Sequence, residues 1–175
     1  MTPSTIDDTA RAIARARWLE LRCFEILGGW VATTAEPEVK LLLARQSHHH
    51  AWHAELFERV RPTASGLDVT HHDESPSPWR GLLAELEVLT ATTDRLAGAY
   101  GVLFPAKLAE YERWLGETDP VRDAPLRRWL GFVLADERAD LLEGRAVVDQ
   151  IQGADAAPGR AAVGAALAAA GPLLG

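Results

Sequence analysis

Cysteine occurs once in the 175 residues, as Cys23, so no internal disulfide can form and a reducing compartment is expected. Its place in an apolar helical pattern predicts a small buried side chain, not a reactive thiol. Lysine is almost as scarce, with two residues against 16 arginines, a bias that reads as genome composition together with the abundance of alanine. No segment offers about 18 uninterrupted apolar residues, and Asp7 and Asp8 stand before Arg11 where a secretory leader would carry basic residues and then an apolar run. These absences predict a cytoplasmic chain with no membrane partner. An excess of positive charge is missing too. The net charge is -7, and Arg11, Arg15 and Arg22 alternate with acids, which excludes a phosphate-neutralising face and with it nucleic acid as a partner. There is no internal repeat, no strand-period segment of useful length and no phosphate loop, since Gly28 and Gly29 lack the required glycine spacing.

What is present is the profile of an ordinary globular domain, 47% hydrophobic and 25% charged, long enough for one continuous core. Helical periodicity dominates it. A first helix is predicted from Asp7 or Asp8 to Gly28 and Gly29 or one turn beyond, with Ile13, Ala16, Glu20, Phe24, Leu27 and Val31 on one stripe. After a turn at Thr33 to Pro37, a second helix runs to about Arg61 and stops at Pro62, with Val39, Leu42, Leu43, Gln46, His49, His50, His53, Phe57 and Val60 on its inner face and His48 turned away. Thr63 to Pro78 has no period and reads as a long connection, with His71 and His72 in solvent. A third helix is expected from Trp79 toward Trp114, kinked or restarted at Pro105, on the stripe Leu82, Leu86, Leu89, Thr93, Leu96, Tyr100 and Leu103. The fourth, after Gly116 to Pro120, reaches about Ile151 and turns Leu126, Leu130, Val133, Glu137, Leu141, Gly144 and Val148 inward, with Asp140 at the edge. The expected domain therefore spans 1–152, and 153–175 reads as an Ala- and Gly-rich tail or weak helix.

Polar residues on apolar stripes carry the chemistry, because an unpaired carboxylate or imidazole is costly to bury. Glu20 lies about 14 residues before the first turn, and Gln46 and His49 about 12 to 15 after it, so an antiparallel pair is predicted to bring them to one level. Gln46-x-x-His49 and Glu137-x-x-Asp140 each set two polar heads on one helix side. This pattern resembles the ferritin-like di-iron carboxylate family, in which the first and third helices each give a Glu and the second and fourth each give Glu-x-x-His. The resemblance implies an all-α, ferritin-like four-helix bundle with a long crossover between the second and third helices, and a metal site at Glu20, Gln46, His49, His53, Glu137 and Asp140 holding iron or manganese. The pattern departs from the family where Gln46 replaces Glu, where Asp140 replaces His, and on the third helix, whose level matching Glu137 is expected between Thr93 and Tyr100 and offers no acid.

Two readings stay open at this point. One is a single-metal protein performing oxidative chemistry on a small molecule. The other is a bundle without metal that keeps a hydrogen-bonded polar layer and acts as a homodimer or interaction module through outward tryptophans, Trp18 and Trp52. Arg17 is a candidate partner for Glu20 in that second case. A third reading, a thiol transferase built on a histidine triad of His49, His50 and His53, lacks further histidines on the fourth helix.

Overall fold

The computed structural model describes residues 5–63, 77–151 and 158–174, and among them every regular element is helical. Helix α1, Ile6–Thr33, starts on a reciprocal cap: the Thr5 hydroxyl accepts from the Asp8 amide at 3.1 Å while the Thr5 amide donates to the Asp8 carboxylate at 3.0 Å. The helix runs through Gly28 and Gly29 and ends one turn beyond them, at Thr33. Gly28 is where the next helix comes close, since a Cβ on it would lie 3.1 Å from the Ser47 hydroxyl. Only Thr34 to Glu36 separate α1 from α2, Pro37–Arg59, so the two pack as an antiparallel pair, with Glu20 opposite His50 and Phe24 opposite Ser47. Phe24, expected inside, is 41% exposed, and Cys23 is buried in its place. The inner face of α1 turns in this half toward α3, Ser77–Glu87, to which an Arg22–Glu87 ion pair ties it at 2.7 Å.

The third segment is broken more than Pro105 alone predicts. After α3 the chain leaves the helix at Val88 to Ala91 and re-enters as α4, Thr92–Gly98, and the Arg95 guanidinium binds the free Leu89 carbonyl at 2.8 Å. A π-helical turn over Ala99–Leu103 then leads into α5, Phe104–Glu117. Pro105 has no amide to give, and the widened turn, closed by the Phe104 amide on the Ala99 carbonyl five residues back, carries the chain past the lost bond. Helix α6, Ala124–Gln150, packs on α2 and α5. The C-terminal segment is a formed helix, α7, Pro158–Ala170, lying on α3, α4 and the π turn, with Val163 and Leu173 wholly buried in the common core. The Trp79 indole donates to the Gly171 carbonyl at 3.1 Å and fixes its end. His71 and His72, with most of the predicted long connection, lie outside the described residues. No helix among the described residues is long and apolar enough to cross a membrane.

The core is split in two. One apolar half gathers Leu27, Leu43, Trp79, Leu86 and Leu103; the other gathers Ile13, Phe57, Tyr111, Leu130 and Val133. On α1, α2 and α6 alike, the sequence passes from one half to the other through a polar level, and that level is the candidate site.

Candidate metal centre

Each helix delivers its polar residue because the apolar stripe on either side of it leaves no other direction for the side chain. Glu20 follows Ala16 on α1, His50 and His53 lie between Leu43 and Phe57 on α2, and Glu137 lies between Val133 and Leu141 on α6. All four are buried, and one ligand atom from each lies within 4.8 Å of the others. His50 Nδ1 is 2.7 Å from Glu20 Oε2 and 3.5 Å from Glu137 Oε1; His53 Nδ1 is 3.5 Å and 3.2 Å from the same two oxygens. Donor atoms bound to one ion at about 2.1 Å stand about 3.0–3.4 Å apart, so the spacing suits a transition metal. Two carboxylates with two imidazoles also suit iron, manganese or zinc in kind.

Lysine 107 is the residue sequence reading missed. Its ammonium, on α5, reaches both Glu20 oxygens at 3.1 and 3.2 Å, Glu137 Oε1 at 2.6 Å and His50 Nδ1 at 3.1 Å, and its side chain is fully buried. The dismissal of lysine scarcity as composition therefore fails at one of the two lysines. Its signal was present: Leu103, Lys107, Tyr111 and Trp114 continue the third stripe at helical steps across Pro105. The level was counted too far back because Thr118 to Asp123 is not helical and α6 begins only at Ala124, so Glu137 faces α5 and not the stretch from Thr93 to Tyr100. Tyr111 completes the level, its hydroxyl donating to Glu20 Oε1 at 2.7 Å. Arg17 is not the partner of Glu20; it pairs with Glu58 at 2.9 Å on the surface.

Electrostatics follow from this packing. Burial pushes the Glu20 carboxyl upward, but the Lys107 and His50 charges outweigh it and hold it well below its ordinary value. Glu137 is likewise lowered, with burial and Glu20 opposing and Lys107 prevailing. Burial would lower Lys107, yet the two carboxylates raise it, so it stays an ammonium. The histidines diverge. His50 is lowered, by burial first and then by Lys107, whereas His53, despite burial, is raised to about 10 by the facing carboxylates. The Cys23 thiol is pushed up by burial and is not a nucleophile.

The remaining predicted residues form a separate layer one turn away. Gln46 accepts from the Tyr100 hydroxyl at 2.7 Å and donates to the Asp140 carbonyl at 3.0 Å. His49 Nδ1 is 2.8 Å from Asp140 Oδ2, and burial raises the Asp140 carboxyl against that contact. Thus Glu20, His53 and Glu137 come together, His50 joins them, and Gln46, His49 and Asp140 bind one another. Because His49 turns to Asp140, the three histidines do not meet as a triad, and among the described residues the grouped ligand atoms do not include His49.

One atom is left over. His53 Nδ1 is buried and aligned for no hydrogen bond, although it faces both carboxylates, while its Nε2 lies 3.3 Å from Asp136 Oδ2. A carboxylate behind an imidazole whose other nitrogen points inward is the usual support of a metal-bound histidine. Glu20, His50, His53 and Glu137 could therefore hold a metal ion, with Lys107 beside it. No family profile matches this chain, and neither the curated proteins nor the solved structures contain a match. The class shown is an all-helical protein with a buried Glu/His/His/Glu cluster compatible with a metal.

Proposed function

We propose that this chain is a ferritin-like helical bundle whose buried polar level binds one divalent transition ion, iron or manganese, and serves oxidative chemistry on a small molecule. The observation that carries the reading is the convergence of four buried ligand atoms, one each from Glu20, His50, His53 and Glu137, within 4.8 Å of one another, with Asp136 behind His53. A bound iron or manganese supplies the redox change; the chain's own residues fix its position, exclude water and balance its charge. Around such an ion Glu20, Glu137 and Asp136 carry three negative charges, and a divalent cation with the Lys107 ammonium carries three positive ones. Tyr111 and Lys107 hold the Glu20 oxygens in place. Metal analysis of untagged protein loaded with Mn²⁺ or, without oxygen, Fe²⁺ tests the reading. Stoichiometric metal in the parent chain, lost in Glu20→Ala and His53→Ala, is expected; a metal-free parent chain rejects it.

A second reading is favoured by the ion pairs of Lys107, which satisfy both carboxylates without any metal. The chain is then an interaction module or homodimer. Of the two tryptophans expected outside, Trp52 is 40% exposed on α2, whereas Trp18 packs partly against the core; Phe132 on α6 is exposed as well. Light scattering decides the homodimer: a dimer that Trp52→Ser together with Phe132→Ser converts to monomer supports it, and a monomeric parent chain removes it.

A further inference from the structure

Two carboxylates buried at one level with no route to water need positive charge beside them. In the family pattern two metal ions would supply it, but here one of the positive groups belongs to the chain. The Lys107 ammonium bridges Glu20 and Glu137 and also touches His50, so it contacts three of the four donor residues as a cation would. The fourth, His53, keeps its inward nitrogen free of any hydrogen bond.

We propose that the Lys107 ammonium is a built-in second cation of the centre, bridging Glu20 and Glu137, and that it restricts the level to a single metal ion seated toward His53. This rests on the single-ion reading above. The geometry gives the ammonium a task that apolar packing does not require. A lysine that merely filled space would lay its stem on the core and carry its head to the surface, as this flexible side chain does elsewhere. Here the head is enclosed with the stem: it sits 5.3 Å from the Phe104 ring centroid and 5.9 Å from that of Tyr111, in contact with both carboxylates. Because the charge is carried on a flexible stem and not exchanged with solvent, it fixes how many ions can enter. It also repels an arriving cation, so removing it strengthens binding at the remaining place.

The test measures metal content and Mn²⁺ affinity in untagged parent protein, Lys107→Met and Lys107→Glu, with a metal-dependent melting shift as a second readout. One ion per chain is expected in the parent, one ion bound about tenfold more tightly in Lys107→Met, and two ions in Lys107→Glu. Lys107→Met keeps the length of the stem, so it carries the test if Lys107→Glu does not fold. A parent chain with one ion, joined by variants with one ion at unchanged affinity, overturns the second-cation role and leaves the proposed function standing. A parent chain with no ion, joined by variants that bind one or two, rejects the proposed function and supports the ammonium as the cation that excluded the metal. No metal in any of them rejects both.

Discussion

Two polar layers lie about one helical turn apart in this protein, and they are built on opposite principles. The level of Glu20, His50, His53, Lys107 and Glu137 is built on buried charges, and it reaches the surface through His53 Nε2 on the half-exposed Asp136. The neighbouring layer of Tyr100, Gln46 and Asp140 is joined by directed hydrogen bonds, and it opens at His49, whose side chain is 31% exposed. The hydrogen-bonded layer needs mainly geometry, and its ionisable pair, His49 and Asp140, lies at its open side. The charged layer needs a balance, so the removal of one member changes the state of all the others. The contrast explains why only the first has the makings of a metal centre.

Substitutions should separate the two layers in proportion. The largest loss is expected for Lys107→Met without metal, which leaves two buried carboxylates with only the His53 charge to offset them; about 3–5 kcal/mol should disappear from urea unfolding in the presence of a chelator. An unchanged midpoint would mean that Glu20 and Glu137 are not ionised together. The pH response comes next. His53 is charged in the fold up to about 10 against an ordinary 6.5, so its stabilisation is complete below about pH 6.5 and is lost as the pH climbs toward 10. His50, lowered by burial and Lys107, acts in the opposite sense and costs stability as the pH falls below 6.5. Melting of the metal-free protein between pH 6.5 and 9.5 should therefore decline, and His53→Gln should flatten that decline. Equal slopes in the two proteins would contradict the assignment.

Effects in the hydrogen-bonded layer should be smaller. Gly144 is where Tyr100 enters: a Cβ there would lie 2.0 Å from the ring's Cε1, so Gly144→Ala must displace the ring, at about 1–3 kcal/mol. Tyr100→Phe leaves the Gln46 carbonyl oxygen without its donor and should cost about 1–2 kcal/mol, measured in the same urea experiment. Neither change should alter metal stoichiometry, and a lost ion in Tyr100→Phe would show that the layers are coupled. Least of all, Arg138→Ala removes an exposed pair with Glu112 and should stay within about 0.5 kcal/mol.

Periodicity made the charged level partly visible. Glu20, His53 and Glu137 stand out because each interrupts an apolar stripe on a long, unbroken helix, where 100° per residue keeps phase over many turns. Gln46 and His49 were set one turn off. The turn lies where it was expected, at Thr34 to Glu36, but the step from His49 to His50 rotates the side chain by 100° and Gln46 lies one turn before His50. Lys107 was hidden by two features. The non-helical Thr118 to Asp123 moves the level of Glu137 along the third segment to α5, and lysine is ordinarily a surface residue. The tail was the least legible part, because its buried stripe of Val163, Ala166, Leu167 and Ala170 is made largely of alanine in a segment where alanine stands on every face.

The most direct measurement is a calorimetric titration of the untagged, chelator-treated chain with Mn²⁺, kept at neutral pH and free of oxygen. Saturation at one equivalent, abolished by His53→Ala and retained in Tyr100→Phe, is the predicted result. No heat of binding, or saturation at two equivalents in the parent chain, would contradict a centre in which one ion shares two carboxylates with a lysine.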